Sequence, residues 1–103
     1  MMALQKVSGA EFEAEVLQHP KRVLVDFYAD WCFPCRMLAP RLEQFAEANA
    51  DKVKVVKVDS DADEELANRY SVRTIPTVIA FENGQEVARA VNPQSRAALE
   101  ALL

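Results

Sequence analysis

The sequence predicts an α/β fold with helices on both faces of a mixed sheet, and three observations carry that expectation. Residues 23–29 (VLVDFYA) form a nearly unbroken apolar run of strand length, the pattern of a strand covered on both faces. Residues 33–50 place Met37, Leu38, Leu42, Phe45 and Ala46 at helical spacing. Asn83-Gly84 lies between two apolar segments, the strongest short signal for a hairpin and hence for an antiparallel pair.

The remaining elements fall between these. Residues 3–7 read as a short strand. Ser8 with Glu11 three residues on makes a capping box, and Phe12, Val16 and Leu17 continue at helical spacing until His19-Pro20 ends the helix. In the helix over 33–50, Pro40 removes one hydrogen bond, which predicts a kink rather than a stop. Residues 53–58 are a further strand, and the acidic segment 61–65 opens another helix, where Glu64 and Glu65 suit the dipole. Residues 77–81 and 86–91 are the hairpin strands, and Asn92-Pro93 or Ser95 caps a last helix running to Leu103. The order β-α-β-α-β-α-β-β-α gives two crossover units, then a hairpin and a helix, so the sheet is mixed.

Composition narrows the function. The chain's 103 residues fit a single domain over 1–103, and half are hydrophobic, enough for a packed core. A net charge of −4 with interspersed signs argues against nucleic acid, which needs clustered Lys and Arg. No segment approaches the roughly 18 to 20 apolar residues of a membrane helix, so no membrane partner is expected. Residues 1–9 lack the cationic and apolar regions of a signal peptide, and a cytoplasmic address is the expectation. His19, alone before Pro20, reads as a surface loop residue without a catalytic role. One His and two Cys are too few for a four-ligand zinc site unless a carboxylate or second chain contributes, so no metal is expected.

The chemistry lies in Trp31-Cys32-Phe33-Pro34-Cys35, placed after the apolar strand and opening a helix. Cysteines three apart on a first helical turn face the same side, so their sulfurs can join in a small ring. Unpaired N–H groups and the partial positive charge of the helix N-terminus favour a thiolate on Cys32. Cys35, one turn inside, is expected to be more shielded. A bare C-x-x-C also suits a zinc knuckle, but between a buried strand and a helix, with no further ligands, it points to redox chemistry. Asp26 is the anomaly of its strand, an acid among apolar neighbours.

With these segments the chain resembles the thioredoxins over almost its whole length: VDFYADWC, MLAP, KVVKVD, RTIPT and FENG stand where the family's motifs stand. The resemblance implies a five-stranded sheet in the order 1-3-2-4-5 flanked by four helices. It implies reduction of protein disulfides by reversible oxidation of Cys32 and Cys35, with Cys32 attacking and Cys35 resolving. It further implies that no cofactor is bound, that electrons come from a thioredoxin reductase, and that the protein acts as a monomer. Asp26 matches the buried acid that relays a proton to Cys35, and Lys57 the lysine beside it. Pro76 matches a cis proline facing the disulfide, and the Ile75 backbone the edge where a substrate strand pairs. Trp31 matches the tryptophan packed beside the site, and Phe33, Pro34, Val91 and Asn92 complete the substrate surface. From the residues alone, Lys57 reads equally as a solvated lysine, and Pro76 as a trans proline, since trans is the default.

Three departures stand out. Phe33 replaces a glycine, which limits access and puts an aromatic ring at the reactive tip. Asn92-Pro93 replaces glycine where a substrate backbone approaches, narrowing the partner range. Tyr28 replaces a tryptophan, read as a neutral packing change. An oxidase is disfavoured because Pro34 stands where oxidising relatives carry histidine. A binding module with idle cysteines is the alternative from another class, and insulin reduction separates the two.

Overall fold

The apolar runs form strands β1 (Gln5–Lys6), β2 (Arg22–Tyr28), β3 (Val53–Asp59), β4 (Thr77–Glu82) and β5 (Gln85–Val91) in the computed structural model, which describes residues 4–103. They build one sheet in the order β1-β3-β2-β4-β5. The pairs β1–β3 and β2–β3 are parallel, while β2–β4 and β4–β5 are antiparallel. The helices are α1 (Phe33–Ala48), α2 (Glu64–Arg69) and α3 (Arg96–Glu100), with a fourth helical turn at Glu13–Leu17. This is the α/β class that the sequence predicted and the strand order that the resemblance implied.

Two cores flank the sheet, and the period-two alternation of β2 assigns its residues to them. Val23, Val25 and Phe27 pack with Phe12, Val16, Leu66 and Ala67 under the Glu13–Leu17 turn and α2. Leu24 packs with Leu38, Leu42, Phe45 and Leu99 under α1 and α3. Asp26 follows Leu24 by two, so it faces the α1 side, where the cysteines begin. Each fully buried side chain of this kind stabilises the fold by roughly 1.5–3 kcal/mol.

Several boundaries differ from the sequence reading. Of the first strand only Gln5 and Lys6 pair, and Ala3 lies outside the described residues. The expected helix from Ser8 is instead a turn followed by a π-helical segment, closed by Gln18 N–H donating to the Glu13 carbonyl at 2.9 Å. The capping box forms on one side only. Ser8 N–H and Oγ–H both donate to Glu11 Oε1 at 3.0 Å, and Glu11 N–H turns to the Ser8 carbonyl at 3.1 Å. Without a hydroxyl acceptor for that N–H, the box closes a turn and no α-helix starts. α2 begins at Glu64 because Asp59 Oδ1 accepts from Asp61 N–H at 3.0 Å, holding 59–61 in a turn.

α1 continues through Pro40, as expected, and ends at Ala48. The hairpin forms as expected: Asn83 and Gly84 both have positive φ, 54° and 80°, the requirement of a type I′ turn. Of the two proposed caps for the last helix, Ser95 serves, its Oγ accepting from Ala98 N–H at 3.1 Å. Ser95→Ala therefore costs about 1 kcal/mol of stability, read as a lower urea midpoint at unchanged slope.

Candidate active site

The site begins where β2 ends. Cys32 is the N-cap of α1 in extended conformation (φ −85°, ψ 110°), and Pro34 follows within the first turn, where a missing N–H costs nothing. Cys35 N–H donates to Cys32 Sγ at 3.3 Å, so a sulfur occupies the place a serine hydroxyl takes in an ordinary cap. The two cysteines are joined in a disulfide, with their Cα atoms 5.2 Å apart. Tyr28, Ala29 and Ile75 pack around them.

The expected difference in shielding is not found: Cys32 is 3% exposed and Cys35 4%. Packing with Tyr28, Ala29 and Ile75 buries the first cysteine as fully as the second. What separates them is direction, because the helix N–H points at Cys32 Sγ and not the reverse.

The loop before β4 faces this pair. Its Ile75–Pro76 peptide bond is cis, and the Ile75 carbonyl oxygen lies 3.7 Å from Cys32 Sγ. The Pro76 carbonyl accepts from Asn92 N–H at 2.7 Å, which brings the end of β5 beside the site. Asn92 has φ 50°, a left-handed conformation that asparagine tolerates better than most residues. Val91 next to it is exposed.

The aromatic neighbours stand outward. Trp31 is 68% exposed and is not packed as the resemblance implied, because its indole N–H donates to Asp61 Oδ2 at 2.7 Å and draws it over the acidic turn. Phe33 is 63% exposed, with the Arg36 guanidinium 6.0 Å above its ring.

Asp26 is 4% exposed and its Oδ1 has no hydrogen-bond donor among the described residues. Burial raises its pKa from 3.8 to about 7, with the Lys57 charge opposing the shift. Its position thus makes Asp26 a buried acid within the sheet and not a surface one. Lys57 is the register partner of Asp26 on β3, yet its Nζ sits 5.2 Å from the Tyr28 ring centroid, and no ion pair joins it to Asp26 among the described residues. A cavity of about 180 Å³ is lined by Asp26, Lys57, Tyr28 and Cys35, and connects the acid to the inner cysteine.

The structure thus gathers every sequence-singled residue at one end of the sheet, around a disulfide bordered by a buried acid. Two residues bordering the site were missed or undervalued. Tyr28 is more than packing: it holds the Lys57 ammonium against its face, a role hinted at by its period-two spacing from Asp26. Gln94 donates to the Pro34 carbonyl at 3.2 Å, and no local pattern marks it. Among the described residues no group of three His, Cys, Asp or Glu converges as a metal site would.

Similarity to known proteins agrees with this geometry. The thioredoxin family model matches residues 3–103. The thioredoxin of Alicyclobacillus acidocaldarius is 45% identical over 101 residues, covering 98% of this chain and 95% of that protein. A thioredoxin of Mycobacterium tuberculosis is 47% identical over 94 residues, covering 91% of this chain and 81% of its own. A bifunctional thioredoxin reductase/thioredoxin of Mycobacterium leprae is 46% identical over 94 residues, which are 91% of this chain and 20% of that protein. Similarity of this breadth, on this sheet order, means that the chain belongs to the thioredoxin family.

Proposed function

We propose that this thiol–disulfide oxidoreductase reduces protein disulfides through the following steps. The Cys32 thiolate bonds to one sulfur of the substrate, and the other substrate sulfur leaves as a thiolate that takes a proton from solvent. Cys35 then gives its proton to the Asp26 carboxylate across the shared cavity. Its thiolate attacks Cys32 Sγ, and the second substrate sulfur leaves. Two electrons pass from the dithiol to the substrate, and the Cys32–Cys35 disulfide is the product. Lys57, held by Tyr28, favours the charged form of Asp26 and eases the later loss of its proton.

Substrate binds on the rim. An extended segment pairs with the Ile75 backbone beside Pro76, as strands add to a free edge. Trp31, Phe33 and Pro34 border it on one side, Val91 and Asn92 on the other. Phe33 supplies an exposed aromatic contact at the tip, while Asn92 in place of a glycine narrows the approach.

The observation that carries this reading is the Cys35 N–H aimed at Cys32 Sγ from a helix N-terminus. Electrons come from a thioredoxin reductase, a partnership supported by the Mycobacterium leprae relative that joins the two activities in its name. The protein works as a monomer in the cytoplasm, as the single domain 1–103, with no bound cofactor. Neither nucleic acid nor membrane is proposed as a partner. Insulin reduction with dithiothreitol is the direct test. An absence of acceleration leaves only a binding module with idle cysteines.

The redox potential is that of a reductant. Neither Phe33 nor Pro34 brings a hydrogen-bond donor side chain or a positive charge to the thiolate, as a histidine would. Equilibration with glutathione therefore gives a value more negative than about −220 mV, where thioredoxins ordinarily lie near about −270 mV. A value in the range of the isomerases, about −180 mV, contradicts the assignment.

A further inference from the structure

The loop between β5 and α3 is tied to the active-site helix by Gln94, whose side chain the proposed mechanism does not use. Gln94 is half-buried, and its Nε2 donates twice: to the Pro34 carbonyl at 3.2 Å and to Asn92 Oδ1 at 2.9 Å. A carboxamide has two N–H donors, so both are engaged. Its own backbone carbonyl accepts from Arg41 Nη1 of α1, which fixes the residue from behind. Asn92 is held a second time, by its N–H on the Pro76 carbonyl. The Asn92 side chain is therefore tethered to Gln94 and, through it, to the Pro34 carbonyl.

This arrangement spans the two walls of the rim. Pro34 stands at the helix end and Asn92 on the β5 side, and the Gln94 amide bridges them. We propose that Gln94 is a positioning residue that sets substrate selectivity, fixing the separation of Asn92 from Pro34 where the backbone of a protein disulfide enters. The inference rests on the substrate surface proposed above. Phe33 and Asn92 are bulky where their positions face a substrate, so a groove walled by them needs its width fixed. A small disulfide reaches the sulfurs without crossing that wall and does not depend on it.

The test compares Gln94→Leu with the unaltered protein on two substrates, insulin and a small aromatic disulfide. Loss of two neutral hydrogen bonds from the wall raises the KM for insulin about three- to tenfold, with kcat and the small-disulfide rate constant within about twofold of the original. In an Asn92→Gly background most of that change disappears, because Gln94 acts through Asn92. Gln94→Met, of equal length and without donors, repeats the measurement where leucine perturbs folding. An unchanged insulin KM overturns the proposal, as does an equal loss on both substrates or an undiminished effect beside Asn92→Gly.

Amide hydrogen exchange at Asn92 separates this inference from the reductase reading. Should the unaltered protein fail to reduce insulin, that reading fails, and the Asn92 N–H decides the positioning role by itself. Faster exchange in Gln94→Leu supports it, and an unchanged rate overturns it.

Discussion

Cys32→Ser brings disulfide reduction down to the background rate, whereas Cys35→Ser still attacks and stalls as a mixed disulfide with its substrate. The reason lies in the direction of one N–H group. The Cys35 amide donates to Cys32 Sγ, so negative charge on Cys32 is met by the helix terminus and charge on Cys35 is not. Cys32 is therefore the thiol that alkylates rapidly near pH 7 once the disulfide is reduced. The equal burial of the two residues makes this a sharp test, because exposure cannot account for a difference in rate. Mass spectrometry of the Cys35→Ser adduct identifies the sulfur that holds the substrate. Trapping through Cys35 in the Cys32→Ser protein would reverse the roles.

Asp26→Ala stabilises the protein at pH 7 and slows its chemistry. The carboxyl is raised from 3.8 to about 7 chiefly by burial. Below the unfolded value both states hold the proton, and the acid costs nothing by ionisation. As pH rises from about 4 to about 7 the unfolded chain ionises while the folded one does not, and stability is lost throughout that window. Above it the full cost remains. Each tenfold change in proton affinity is worth about 1.4 kcal/mol, and the space left by the removed carboxyl returns part of the gain. The expected net is about 1 to 3 kcal/mol in favour of the alanine protein at pH 7, reversing near pH 4, where the ionisation gain is gone and the packing loss remains. Lys57 limits the gain by favouring the carboxylate, so Lys57→Met makes the subsequent Asp26→Ala change more stabilising.

The kinetic half of this expectation is independent. Without Asp26 the Cys35 thiol loses the buried base of the cavity, its other acids Asp30 and Glu43 being more exposed, and the resolving step slows by about 10² or more. Urea melts at several pH values, paired with single-turnover reduction, measure both halves. A less stable Asp26→Ala protein with native kinetics would show that the acid is neither a liability nor a relay.

Much of this protein was legible in its residues. The apolar run around Asp26 determined that β2 is central, since only a strand covered on both faces tolerates so little polarity. Asn83-Gly84 determined its own turn, because two successive positive φ values exclude most other residues. The C-x-x-C after a strand located the chemistry, helix geometry alone bringing residues three apart to one side.

Tertiary structure decided the rest. Ser8 and Glu11 make a local pattern that ordinarily starts a helix, yet the hydroxyl donates instead of accepting, and a turn forms. The shielding of Cys32 came from Ile75, forty-three positions away in sequence. The position of Lys57 was settled by the Tyr28 ring beside it, which competes with Asp26 for the ammonium. Gln94 had no signature at all, since its two acceptors are a helical carbonyl and a loop carboxamide joined only by the fold. Short-range patterns report backbone preference and period, which act within a turn or two of chain. Side-chain partners across the sheet depend on packing between distant segments, and no window of sequence contains both members of such a pair.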